Sequence, residues 1–150
     1  MTIKAIFFDV GGVLVRTFDR QPRTRLAERL GSSYSQLEAW VWEGEQGTLA
    51  QEGAIHEEDQ WRFACRQLGL SEEQWQEFKA EFFAGDQVDY ALVDAIRGLR
   101  RRGFLTGVIS NAMDGLRQYL VNEVVIADAF DSLTVSAEVG VKKPAQPGNG

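Results

Sequence analysis

Ile3-Lys4-Ala5-Ile6-Phe7-Phe8-Asp9-Val10-Gly11-Gly12-Val13-Leu14-Val15 is the stretch on which the fold turns. Ile6-Phe7-Phe8 is a continuous apolar run, which suits a strand buried on both faces of a parallel sheet better than the alternation of a half-exposed one. Asp9 ends it. Gly11 and Gly12 then let the chain turn tightly and bring backbone close to a ligand. Ligands of open parallel α/β sheets bind beyond the carboxyl ends of the strands. Asp9 is therefore a candidate nucleophile or metal ligand. The competing reading of this stretch alone is a carboxylate that caps the next turn.

Working outward, the chain alternates a strand pattern with helical punctuation. From Arg16 to about Val88 no β-rich run is legible. Pro22, the Ser33/Gln36 and Ser71/Gln74 capping pairs and the acids Glu57, Glu58 and Asp59 mark helix starts, and Gly31, Gly53, Gly69 and Gly85 mark stops. Trp40, Trp42, Trp61, Trp75 and Phe82 fall on these helices. They read either as a substrate-enclosing surface or as a small helical core that needs large side chains. His56, the single histidine, has no His or Cys partner at ligand spacing, which argues against a zinc site or a histidine-based triad. The α/β pattern resumes with a helix capped by Asp89, a buried strand Phe104-Leu105-Thr106-Gly107-Val108-Ile109, a helix around Met113 to Val121, and a third strand Ser132-Leu133-Thr134-Val135-Ser136.

Composition narrows the function classes. The 150 residues suit one domain with an inserted subdomain, and 44% hydrophobic content suits a packed core. A net charge of -6 gives no nucleic-acid footprint. Arg100-Arg101-Arg102 falls at a helix end, where cations complement the dipole. The lone Cys65 offers no internal disulfide and fits a reducing cytoplasm. No apolar run approaches the roughly 18 residues of a membrane span. Composition and patterning thus suggest neither a nucleic-acid nor a membrane partner.

Three strand ends carry polar groups in order: Asp9, then Ser110-Asn111, then the loop with Lys142-Lys143. On one edge of a parallel sheet, an acid, a hydroxyl with an amide, and an ammonium would converge. That set suits phosphoryl transfer: the carboxylate attacks, the hydroxyl and amide donate to phosphoryl oxygens, and the lysine offsets negative charge.

At this point the chain resembles the haloacid dehalogenase-like (HAD) hydrolase superfamily. Phe7-Phe8-Asp9-Val10-Gly11-Gly12-Val13-Leu14 is similar to its first motif and Val108-Ile109-Ser110-Asn111 to its second. Ser136-Ala137-Glu138-Val139-Gly140-Val141-Lys142-Lys143-Pro144 is similar to its third. The implied fold is α/β, a Rossmann-like parallel sheet with three strands here instead of five or more. Residues 1-15 and 89-144 would form this core and 16-88 an inserted C1-type helical cap, while the composition of 145-150 itself reads as a disordered tail. The resemblance implies Asp9 as nucleophile, Ser110 and Asn111 as holders of the phosphoryl group, and Lys143 as charge stabiliser. It implies Mg2+ as cofactor, held by Asp9 and the backbone carbonyl of Gly11. The activity implied is a phosphatase of a small phosphorylated metabolite, working through an aspartyl-phosphate. A non-catalytic phosphate-binding or regulatory module and a 2-haloacid dehalogenase stand as alternatives.

Two departures bear on this. Family phosphatases carry a second aspartate two residues after the nucleophile as general acid, and here that position is Gly11. Asp19 or Asp114 are candidate substitutes. The resemblance also implies a later strand with an acidic pair that completes the magnesium site. None follows Pro144, and the change to Ala145-Gln146-Pro147-Gly148-Asn149-Gly150 reads as a truncation or a frame change. The strand Ile3 to Phe8 is then expected to be an exposed apolar edge through which chains could self-associate.

Overall fold

The computed structural model describes residues 2–144. The tail expected over 145-150 lies outside them. Strand β1 (Ala5–Phe8) pairs in parallel with β4 (Leu105–Ser110), and β4 pairs in parallel with β5 (Ser132–Val135), giving the order β1-β4-β5. The register sets Phe7 opposite Gly107 and Phe8 opposite Val108. Gly107 leaves room there for the Phe7 ring, which would otherwise have to shift: a Cβ would stand 2.6 Å from it. Among the described residues β1 is an edge strand, as the sequence leads one to expect, but Phe7 is 55% exposed, so the strand is not buried on both faces as its continuous apolar run suggests.

One face of this sheet is covered. Val10, Leu14, Val93, Ile96, Val108, Leu120 and Phe130 form its buried cluster, with Phe8 packed against them. Helix α6 (Tyr90–Arg101) supplies Val93 and Ile96, and its N-cap Asp89 accepts from the Leu92 N–H at 3.0 Å. The predicted helix after β4 is shorter than expected. It is α7 (Leu116–Gln118), continued by a π turn over Tyr119–Glu123.

A second buried cluster belongs to α1 (Gln21–Arg29), α2 (Tyr34–Trp42), α3 (Gly44–Gln51), α4 (Glu57–Gln67) and α5 (Trp75–Phe82). Trp61 lies at its centre, 1% exposed, edge-on to Trp42, Phe78, Phe82 and Phe83. Cys65 is buried in the same cluster. These aromatic side chains therefore fill a core. The Ser71/Gln74 capping box forms as read, and at Ser33 the hydroxyl accepts the Gln36 N–H, half of the expected box. Arg23 of α1 is also buried. It donates to the Phe82 carbonyl at 2.9 Å, to Glu38 at 2.9 Å and to both oxygens of Asp86 at 3.1 Å, and lies over the Phe82 ring.

The expectation of no β structure between Arg16 and Val88 is corrected at both ends. Strand β2 (Val15–Thr17) pairs antiparallel with β3 (Asp86–Val88), at the two points where the chain passes between the clusters. Each strand is three residues long and carries polar side chains, so neither leaves an apolar period in the sequence. Side chains reinforce the ribbon: Thr17 Oγ1 donates to Asp86 and Arg16 pairs with Asp89, both at 2.7 Å.

Candidate active site

The loop after β1 is built to leave Asp9 outside. Val13, Leu14 and Val15 all donate their N–H to the Val10 carbonyl, at 3.2, 2.9 and 2.9 Å. That winding drives Val10 and Leu14 into the core. Gly12 takes the left-handed conformation the turn needs, at φ 79°. Asp9 remains at the strand end with its side chain 44% exposed, and its Oδ1 accepts from the Val10 N–H at 2.7 Å.

Lys143 Nζ donates to Asp9 Oδ2 at 3.1 Å and to the Ile109 carbonyl at 2.8 Å. It thus spans the ends of β1 and β4. Asn111 holds the Lys143 backbone in both directions: its Nδ2 donates to the Lys143 carbonyl at 2.8 Å, and its Oδ1 accepts the Lys143 N–H at 2.6 Å. The second hydrogen of that amide is left for another acceptor. Ser110 ends β4, 4% exposed, and with Ile109, Asn111, Thr134, Ser136 and Lys143 bounds a cleft beside the strand ends. Asp9 is not one of its walls and meets it only through the Lys143 ammonium.

The structure therefore brings Asp9, Ser110, Asn111 and Lys143 to one edge of the sheet. One contributor was missed in the sequence. Buried Ser136 accepts the Ala112 N–H at 2.9 Å and donates to the Ala112 carbonyl at 3.1 Å, tying the loop after β4 to the start of α8 (Ser136–Val139). Its only signal was a hydroxyl at the end of a strand. Arg117 adds a second tie. It is bidentate to Glu138, with N–O distances of 2.8 to 3.1 Å, and this guanidinium holds the Glu138 carboxyl below its ordinary pKa. Of the two candidate substitute acids, Asp19 accepts from the Gln21 N–H at 2.9 Å, and Asp114 accepts from the Glu57 N–H of α4, also at 2.9 Å.

Magnesium takes hard oxygen ligands in near-octahedral geometry, often with few carboxylates and a substrate phosphate. The Asp9 carboxylate and the Gly11 carbonyl are oxygens of the right kind. Among the described residues no group of three or more His, Cys, Asp or Glu side chains gathers around them. These two oxygens by themselves do not complete a magnesium shell.

The family model for haloacid dehalogenase-like hydrolases matches residues 3–147, and the chain belongs to that family. Solved structures share its fold. A HAD family enzyme from Bacteroides thetaiotaomicron, in complex with magnesium and inorganic phosphate, superposes with a TM-score of 0.71 at 19% identity, over 95% of this chain and 73% of its own. A HAD-like family hydrolase from Porphyromonas gingivalis gives 0.68 at 21% identity, over 95% and 71%. The L-2-haloacid dehalogenase from Xanthobacter autotrophicus gives 0.60 at 21% identity, over 95% and 60%. No curated protein sequence matches the chain. No helix among the described residues is long and apolar enough to cross a membrane.

Proposed function

We propose that this family member is a phosphatase of small phosphorylated metabolites, with Asp9 as the nucleophile. The observation that carries the reading is the Lys143 ammonium held between the Asp9 carboxylate and the Ile109 carbonyl. An Asp9 oxygen attacks phosphorus as the P–O ester bond breaks, the departing oxygen takes its proton from solvent water, and a second water hydrolyses the aspartyl-phosphate to inorganic phosphate and free Asp9. Lys143 offsets the charge of carboxylate and phosphoryl group together. The Ser110 hydroxyl and the remaining Asn111 N–H donate to phosphoryl oxygens. Magnesium, held in part by Asp9 and the Gly11 carbonyl, would add further charge neutralisation. The magnesium- and phosphate-bound relative supports both assignments.

In this reading residues 16–88 act as a cap over a core of 1–15 and 89–144, closing to exclude water and select the leaving group. Hydrolysis of p-nitrophenyl phosphate with magnesium, against an Asp9→Asn control, tests the proposal. Equal rates from the two proteins would sink it.

A second reading is favoured by Gly11, which offers no proton donor. A halide leaves unprotonated, so a 2-haloacid dehalogenase needs no acid there, and the Xanthobacter enzyme shares the fold. Halide release from chloroacetate distinguishes it. Saturable phosphate binding without turnover of either substrate would instead mark a binding module.

A further inference from the structure

Three consecutive residues beyond Asn111 leave the sheet's cluster and enter the helical one. Met113 is 4% exposed and is buried among the side chains of α1 to α5. Asp114 Oδ1 accepts the backbone N–H of Glu57, the first residue of α4, at 2.9 Å, and its Oδ2 lies 2.6 Å from His56 Nδ1. Gly115 packs so close to Glu57 that a Cβ would stand 2.3 Å from its carboxylate. Glu57 in turn is held by Lys79 of α5, at 2.9 and 3.1 Å. An exposed ion pair by itself contributes little, and the His56 side chain is 84% exposed. Here the pair is the outer member of a set that includes a buried methionine and a helix-capping bond.

We propose that Met113, Asp114 and Gly115 form a clasp between the two units, in which Asp114 is a positioning residue and His56 its pH-sensitive half. Only Ala112 and Met113 separate Asp114 from Asn111, which holds Lys143. Where the helical unit sits over the strand ends is thereby coupled to the loop that presents the lysine. The inference holds whatever reaction the site performs.

The surroundings of His56 support the pH sensitivity. Asp114 faces it from the loop after β4, and Asp59 and Glu58 from α4, while the neighbouring Glu57 is paired with Lys79. The hydrogen bond to Asp114, then its charge, hold the imidazole above its ordinary pKa of 6.5. With a raised folded value, the contribution is full below that ordinary value and is lost as pH rises through the raised one. The α4 N-terminus repels an imidazolium, so Asp114 is the group that keeps it there.

The single histidine makes the test direct. Proton NMR follows the one imidazole, and amide hydrogen exchange follows residues 56–60 and 110–115, with no substrate present. In Asp114→Asn, which keeps an acceptor for the Glu57 N–H, His56 should titrate lower than in the unaltered protein. In Asp114→Ala both segments should exchange about fivefold faster, the effect of losing a net hydrogen bond. His56→Gln should abolish the loosening expected of the unaltered protein as pH rises through the raised His56 value. An unchanged His56 titration in Asp114→Asn, or a pH response that survives in His56→Gln, would overturn the proposal. These two variants carry the test if Asp114→Ala does not fold.

Discussion

Lys143 Nζ stands 3.1 Å from Asp9 Oδ2, although the two residues are 134 positions apart in the chain. Both side chains are more than two-fifths exposed, so the contact matters less for stability than for chemistry. Asp9→Asn should lower magnesium-supported p-nitrophenyl phosphate hydrolysis by about 1,000-fold or more. Lys143→Ala should lower it by about 100- to 1,000-fold, the scale of losing one transition-state charge stabiliser. Circular dichroism of both variants should match the unaltered protein.

Gly11 lies outside the left-handed region, and a Cβ there would meet nothing within 4 Å. An aspartate there therefore meets neither a clash at Cβ nor a left-handed backbone. Gly11→Asp should raise hydrolysis of alkyl phosphates, whose leaving oxygen needs a proton, by up to about 100-fold. The gain with p-nitrophenyl phosphate should be smaller, because that leaving group is a weaker base. Comparing kcat/KM for the two esters checks this, and a uniform change for both would count against an acid role.

Asn111 makes two hydrogen bonds to the Lys143 backbone. Asn111→Ala removes both and should destabilise the protein by about 1–3 kcal/mol in urea unfolding, at about 0.5–1.5 kcal/mol per bond. Asn111→Asp keeps the acceptor for the Lys143 N–H and loses the donor, so it should fall between. Hydrogen exchange over 140–144 should rank the three proteins in the same order.

Arg23 is a buried cation with four partners on three elements. Arg23→Ala leaves Asp86 beside the β2–β3 ribbon without its guanidinium and should cost about 3–5 kcal/mol. Arg23→Met keeps much of the packing on Phe82 and should cost less. Chemical denaturation of the two variants separates the charge from the packing.

Acid should also weaken the sheet's covered face. Asp131 accepts the Thr106 N–H at 2.8 Å and pairs with Arg100, and these contacts hold its pKa below the ordinary carboxylate value. Its contribution is full above that ordinary value and is lost as pH falls through the lowered one. Asp131→Asn should flatten the acid limb of a stability-against-pH curve, and an unchanged limb would show that other carboxylates dominate it.

The parts of this protein that were readable in the chain are those with local causes. An apolar run ended by Asp9, a hydroxyl–amide pair after another run, and a lysine before Pro144 declare three strand ends within a few residues each. Capping pairs such as Ser71/Gln74 act over a single turn and form as read. What stayed hidden depends on partners far along the sequence. The β2–β3 ribbon pairs residues about 70 positions apart through short polar strands. Asn111 reaches 32 positions to grip Lys143, and Asp114, which could pass for a spare acid, reaches 58 positions to His56. Periodicity and composition sense which face of an element is apolar. They do not register which polar group will find another, because that choice is made only when the packing of the apolar faces brings the two within hydrogen-bond reach.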